Sequence, residues 1–341
     1  MNGGMKKVWK SRLVIAFLVA AAVLLGLFNE TKPRILVVHS NSRDSDWVAQ
    51  MDRGMRAALK DNRRPVNVEW LYLDAVAPAA RDRNDQVRSE VRRAVGQLDP
   101  DVVIAVDDEA NSLISKEYLG RESPRILYIS LDRPPADYGY VGAPNAAGIA
   151  EQLPFTAIRD AATALFPGRR PTATVIGVDN ITGRAEMAQM RQTDWGPVTI
   201  TDTALVSTAA GWRDFVTASR SDVLIVLSVQ DLPGENGAEV TVPEIVRWTQ
   251  ENSRPVPIGT QVDFVKDGGA LSFSPPPDDY GRRAIALALD WLDERRTPGP
   301  PAPVESPHFT VSMRRDALAA RGLTLPSVYT EAARAGDTLY G

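Results

Sequence analysis

The chain has no cysteine among its 341 residues. Disulfides, thiol nucleophiles, thiolate metal ligands and a lipid on an N-terminal cysteine are all excluded, and an oxidising compartment is tolerated. Histidine is nearly absent as well. His39 and His308 lie far apart, and no spacing of histidine with acidic residues resembles a metal site. Excess positive charge is missing too: 39 Lys and Arg against 43 Asp and Glu leave a net charge of −4, which removes nucleic acid from the expected partners. Catalytic signatures are lacking. There is no G-x-S-x-G elbow, no G-x-x-x-x-G-K-[ST] phosphate loop and no G-x-G-x-x-G after a strand. Binding without chemistry, and without a cofactor, is the economical reading.

One apolar run is present, Leu13 to Phe28, preceded by Lys6, Lys7, Lys10 and Arg12. An export machinery reads a basic segment followed by an apolar one and keeps the positive side in the cytoplasm. The body is therefore expected in the periplasm. Gly26 to Glu30 offers no Ala-x-Ala cleavage pair, and cutting at Ala20-Ala21-Ala22 would leave an apolar stub. An uncleaved anchor to the inner membrane is expected, although the run falls short of the roughly 20 residues that span a bilayer comfortably.

Beyond the anchor, about 310 residues exceed what one small core holds, so two domains are expected. Short β-branched runs alternate with helical patterns, the mark of parallel sheets built from βαβ units. Strands are expected at Ile35–His39, Val66–Leu73, Val102–Val106 and Ile126–Ser130, then at Thr174–Val178, Val198–Val206, Val223–Val229 and Val256–Thr260. Helices separate them. The fold class is thus α/β with two similar lobes, each a parallel sheet flanked by helices. Asp278 to Arg296 reads as a long amphipathic helix, Thr297 to Pro307 as a proline-rich connector, and Ser327 to Gly341 as a weakly ordered tail.

In open parallel sheets ligands bind beyond the carboxyl ends of the strands. Those positions hold His39 to Asp44, Asp107-Asp108-Glu109, Ser130 to Arg133, Asp179-Asn180, Ser228 to Asp231 and Thr260 to Phe264. An aspartate there also serves as the N-cap of the next helix. Capping is the leading reading for Asp108 and Asp179, whereas Asp132 and Asp263 are open. Trp47 and Phe264 suit either ligand stacking or the core.

Several segments taken together resemble the substrate-binding proteins of ABC transporters with a type I periplasmic-binding-protein fold, in the branch that also occurs as the sensing domain of histidine kinases. They are Ile35–Ser40 with Trp47 and Asp52-Arg53-Gly54, Asp99–Ala105 with Asp107-Asp108, Gly269–Ser272 followed by Tyr280–Ala284, and Ser306–Val311 leading to Gly322–Pro326. The resemblance implies two lobes closing on a small solute: an anchor of residues 1–32, a first lobe of 33–147 plus 272–296, a second of 148–271 plus 304–326, and a tail of 327–341. Asn145 to Glu151 would be one crossing between them. It further implies Ser40, Asn41, Trp47, Asp107, Asp108 and Asp132 as first-lobe ligand contacts, and Asp179, Gln230 and Asp263 from the second. The expected partner is an ABC permease or, for a tethered sensor, a membrane signalling protein. An extracytoplasmic hydrolase is the third reading.

Overall fold

The computed structural model describes residues 15–21, 23–24, 32–75, 84–131, 133–150, 152–230, 232–234, 240–293, 300–301, 304–305 and 308–341. Of the expected anchor only 15–21 and 23–24 are among them, helical and largely exposed. Among the described residues no helix is long and apolar enough to cross a membrane.

The first sheet collects β1 (Arg34–His39), β2 (Asn67–Tyr72), β3 (Val102–Val106), β4 (Arg125–Ile129), β5 (Ala146–Ala150) and the late β11 (Val304–Glu305), in the order β11-β5-β4-β3-β1-β2. Every pair is parallel. Its inner strands β1, β3 and β4 are almost wholly buried because both faces are covered, whereas β2 at the edge exposes Asn67 and Glu69. Leu36 and Val38 pack toward α2 (Asn84–Leu98) and α3 (Asp108–Tyr118), while Ile35 and Val37 pack toward α1 (Asp46–Asp61) and α8 (Pro277–Leu292). The last contact needs glycine. A Cβ on Gly54 would stand 1.8 Å from the Asp278 carbonyl oxygen, and one on Gly281 would stand 2.1 Å from that of Met51. The long amphipathic helix thus completes the first sheet's core from late in the chain.

The second sheet has the order β13-β12-β10-β9-β8-β6-β7, from β6 (Thr172–Val178), β7 (Thr199–Val206), β8 (Val223–Val226), β9 (Val256–Gly259), β10 (Leu271–Ser274), β12 (Thr310–Arg314) and β13 (Leu339–Tyr340). The helices α4 (Phe155–Leu165), α5 (Ile181–Gln192), α6 (Ala209–Ala218) and α7 (Val242–Asn252) connect its parallel part. Two features depart from expectation. Strand β12 runs antiparallel to β10, so this sheet is mixed. Residues 327–341 are not a loose tail. They form α9 (Ser327–Ala335), which buries Ala333, and then β13, which pairs in parallel with β12. Leu339 and Tyr329 pack on the lobe's core, and that burial orders the segment. Most of Asn145–Glu151, expected as a crossing, is β5 itself, and the chain leaves the first sheet only after Ala150.

Candidate functional site

The first sheet's wall is built at the ends of β1, β3 and β4. Ser40 is turned inward. Its hydroxyl donates to the Val106 carbonyl at 2.9 Å and accepts from the Ala110 N–H at 2.9 Å, clamping β1 to the start of α3. Asn41 donates its side-chain amide to Asp107 Oδ2 at 2.6 Å, while Asp107 Oδ1 accepts from the Asp108 N–H. Asp107 is therefore the N-cap of α3, one residue before the expected Asp108. It stands at φ 74°, ψ 169°, a conformation nearly reserved for glycine that costs about 1–3 kcal/mol. Bonds to Asn41 and to Asn111, whose amide donates to the Asp107 carbonyl at 2.8 Å, hold that strain at the mouth of the wall.

Asp108 points elsewhere. Its buried carboxylate accepts from the Tyr138 hydroxyl, and its second oxygen lies 3.7 Å from Arg133 Nε. The Arg133 guanidinium sits 4.6 Å from the Tyr138 ring, which stacks on Tyr140, which stacks on Tyr128. Tyr140 donates to Asn111 Oδ1 at 2.9 Å. Burial, and after it the Asp108 carboxylate, pushes the Tyr138 phenol far above its ordinary value, and burial does the same to Tyr140. Both phenols remain donors throughout the physiological range. Asp107 and Asp108 thus share no site, as adjacent residues at a strand-to-helix junction seldom do.

Behind this wall, His39 is buried, with Nε2 at 3.0 Å from Asp52 Oδ1 and its ring parallel to Tyr72. Tyr72 donates to the other Asp52 oxygen at 2.6 Å. Burial raises the Asp52 carboxyl, but the bonds from His39 and Tyr72 outweigh it and leave the group below its ordinary value. The Tyr72 phenol, buried beside that carboxylate, is pushed up to about 12. Trp47 is half-buried against the core formed by α1 and α8, so it anchors its helix while one edge stays accessible.

The second sheet's wall uses the ends of β6, β8 and β9. Asn180, not Asp179, caps α5, its side-chain oxygen accepting from the Gly183 N–H at 2.8 Å. Asp179 is exposed and paired with Arg184 at 2.5 Å. Gln230 is exposed, and its carbonyl accepts from the Asn180 amide at 3.1 Å. A residue not anticipated from the sequence organises this side. Glu186, buried on α5, accepts from the Ser228 N–H at 2.6 Å and from Gln261 Nε2 at 2.8 Å, tying the loops after β8 and β9 together. Its signal is faint, because a glutamate in the middle of a helix usually faces water. Phe264 is core, lying beneath Gly259 and Gly269. Asp263 is half-buried in the turn after β9. Burial raises its carboxyl, Lys266 opposes that rise, and Asp46 adds to it.

Lys266 reaches from that turn to Asp46 in the first turn of α1 and forms an ion pair between the two lobes beside Trp47. Asn41 and Asp107 therefore belong to one wall and Asp263 to the other, with the Asp46–Lys266 pair bridging the lobes next to Asp263. Asp132 lies outside the described residues. No cofactor-shaped motif and, among the described residues, no cluster of three potential metal ligands accompanies this arrangement.

No protein-family model matches the chain, and no curated protein does. Solved structures match over nearly its whole length. A conserved domain protein from Vibrio cholerae is 15% identical with a TM-score of 0.63, covering 91% of this chain and 100% of that one. An ABC domain in complex with L-Trp from Streptococcus pneumoniae is 14% identical with a TM-score of 0.61, covering 89% and 98%. The ligand-free, open form of a substrate-binding protein with adhesive properties from Clostridium difficile is 12% identical with a TM-score of 0.65, covering 86% and 96%. At these identities what is shared is architecture: the chain has the two-lobed fold of the type I periplasmic binding proteins.

Proposed function

We propose that this protein is an extracytoplasmic solute-binding protein whose two lobes close on a small ligand and deliver it to an ABC-type permease. What supports this reading is that polar groups stand at the carboxyl strand ends of both sheets, Asn41 and Asp107 on the first and Asp263 on the second, with the Asp46–Lys266 pair joining the two lobes there. Ligands of open α/β sheets bind at such carboxyl ends. The residues Asn41, Trp47, Asp107, Asp132, Gln230 and Asp263 make the contacts, while Ser40, Asp108 and Asp179 shape the walls through their own bonds. Acidic groups predominate, so the ligand carries amine or hydroxyl groups. No step of catalysis is assigned.

A second reading is favoured by Leu13 to Phe28 and by the lack of a cysteine for lipid attachment. In it the same body is tethered to the inner membrane and signals to a partner membrane protein. Retention of Leu13–Phe28 in the mature chain, read by intact-mass measurement, supports the tether; a cleaved form supports a free carrier.

The binding reading is tested by thermal unfolding of the full chain against amino acids, polyamines, sugars and purines. A ligand at a hundred times its Kd adds about 2.7 kcal/mol. Silence across the whole library overturns it. Given a hit, Asp263→Asn should weaken it at least tenfold, and an unchanged affinity removes Asp263 from the site.

A further inference from the structure

The far edge of the second sheet carries buried hydroxyls without protein partners. Strands β10 and β12 pair with Ser272 opposite Ser312 and Ser274 opposite Thr310. Alternation places Ser272, Ser274, Ser312 and Arg314 on one face, while Leu271, Phe273, Val311 and Met313 enter the core on the other. The three serines are 0%, 1% and 0% exposed, and among the described residues none of their hydroxyls has a hydrogen-bond partner. Serines directly opposite on paired strands ordinarily bond each other, yet Ser272 and Ser312 do not. Unpartnered buried polar groups are rare, and three on one patch of two strands call for something between them.

Arg314 supplies charge to the same face. Its Nε–H is buried and unpartnered, a terminal nitrogen donates to the Val265 carbonyl at 3.1 Å, and its guanidinium lies 5.5 Å from the Tyr340 ring. The buried Val265 places the turn after β9 over this patch. Among the described residues no carboxylate is hydrogen-bonded or ion-paired with these serines or with Arg314.

We propose that this patch binds a small monovalent anion of the halide class, held between the Ser272 and Ser312 hydroxyls, with Ser274 beside them and Arg314 compensating its charge. A buried anion requires both hydrogen-bond donors and a nearby cation, and the patch offers both. The hydroxyls are wholly buried within a sheet, a setting that suits a monatomic ion rather than a many-atom oxyanion such as phosphate. A bridging water would suit the hydroxyls, but an anion would in addition face the charge of the half-buried Arg314, whose Nε–H is buried. The bound ion would tie β10 and β12 to the turn that carries Asp263 and Lys266.

The test is thermal unfolding of the full chain at constant ionic strength, with sodium gluconate replaced stepwise by sodium chloride or bromide. The midpoint is expected to rise with halide and to saturate, and the rise should vanish in the Ser272→Ala/Ser312→Ala double variant. Identical midpoints in chloride and gluconate, or an undiminished rise in the double variant, would overturn the proposal. Should that variant fail to fold, crystals of the natural protein grown in bromide decide. An anomalous peak between Ser272 and Ser312 supports the site, and bridging waters only would sink it.

Discussion

The two walls of the cleft differ in how far their polar groups are already committed. On the first, Ser40 is held by two backbone groups, Asp107 by Asn41 and a helix N-terminus, and Asp108 by Tyr138 and Arg133. On the second, Glu186 is likewise committed, but Asp179 has only an exposed pair with Arg184, Gln230 is exposed, and Asp263 is raised by burial that no neighbouring cation fully offsets. In the proposed binding role the first wall would be a preorganised surface whose shape is fixed before a ligand arrives, and the second would be where new bonds to it relieve an existing cost. A preorganised wall contributes by having little left to order, and a strained carboxyl contributes by gaining a partner.

The contrast is broken most severely at the first lobe's helix pair. Gly54→Val would drive side-chain atoms into the Asp278 backbone, where even a Cβ stands 1.8 Å from the carbonyl oxygen. Overpacking against backbone cannot relax by a rotamer change, so a loss of about 3 kcal/mol is expected. Urea unfolding measures it. A loss below 1 kcal/mol would mean that α1 and α8 can separate freely and that the first lobe is the softer one.

Next in size is Asp108→Ala, which leaves the buried Tyr138 hydroxyl without its acceptor and removes the negative charge 3.7 Å from Arg133. Stranding such groups costs about 2 kcal/mol. Asp179→Ala, whose partner is exposed, should cost less than about 0.5 kcal/mol. Equal costs for the two would erase the difference between the walls.

The parts of this picture that the sequence carried are those set by periodicity and by position at a strand end. The apolar runs of β1, β3, β6 and β8 fall where expected, because strands buried on both faces must be apolar throughout. The Asp107-Asp108 step was recognisable as a strand-to-helix junction, but which of the two caps depended on the φ of 74° at Asp107, and no local pattern announces that value. The two-residue β13 and β11 have no period to read, and both exist only because a distant strand receives them. Glu186 and the Tyr128–Tyr140–Tyr138 stack were hidden for a similar reason. Their partners come from other loops, so their roles arise only from tertiary packing.

Acid should separate the lobes with opposite signs. Asp52 titrates below its unfolded value, so its ionised form stabilises the fold at neutral pH, and that contribution is lost as pH falls through the folded value. Asp263 titrates above its unfolded value. Its ionised form therefore costs stability at neutral pH, and that cost falls as pH drops through the folded value and is gone below the unfolded one. Unfolding free energies measured from about pH 3 to 7 should show Asp52→Asn losing stability at the neutral end, with a flatter acid limb. Asp263→Asn should gain stability at the same end. If both variants shift neutral stability in one direction, the assignment of a settled first wall and a strained second wall fails.

The smallest effect belongs to the contact that joins the two walls. Lys266 and Asp46 keep 53% and 65% of their side-chain surface in water, so their attraction is weak and screened by salt over about 8 Å at physiological ionic strength. Such a pair biases the angle between lobes without locking it. Lys266→Met should therefore leave unfolding nearly unchanged while opening the ligand-free protein slightly, as a larger radius of gyration in X-ray scattering at low salt. Raising salt to about 0.5 M should bring the natural protein toward the variant's value and leave the variant where it was. If the natural protein and the variant coincide at both salts, the lobe angle is set by the chain crossings, at Pro275-Pro276 and beyond Ala150 among them, and the Asp46–Lys266 pair is no latch between the lobes.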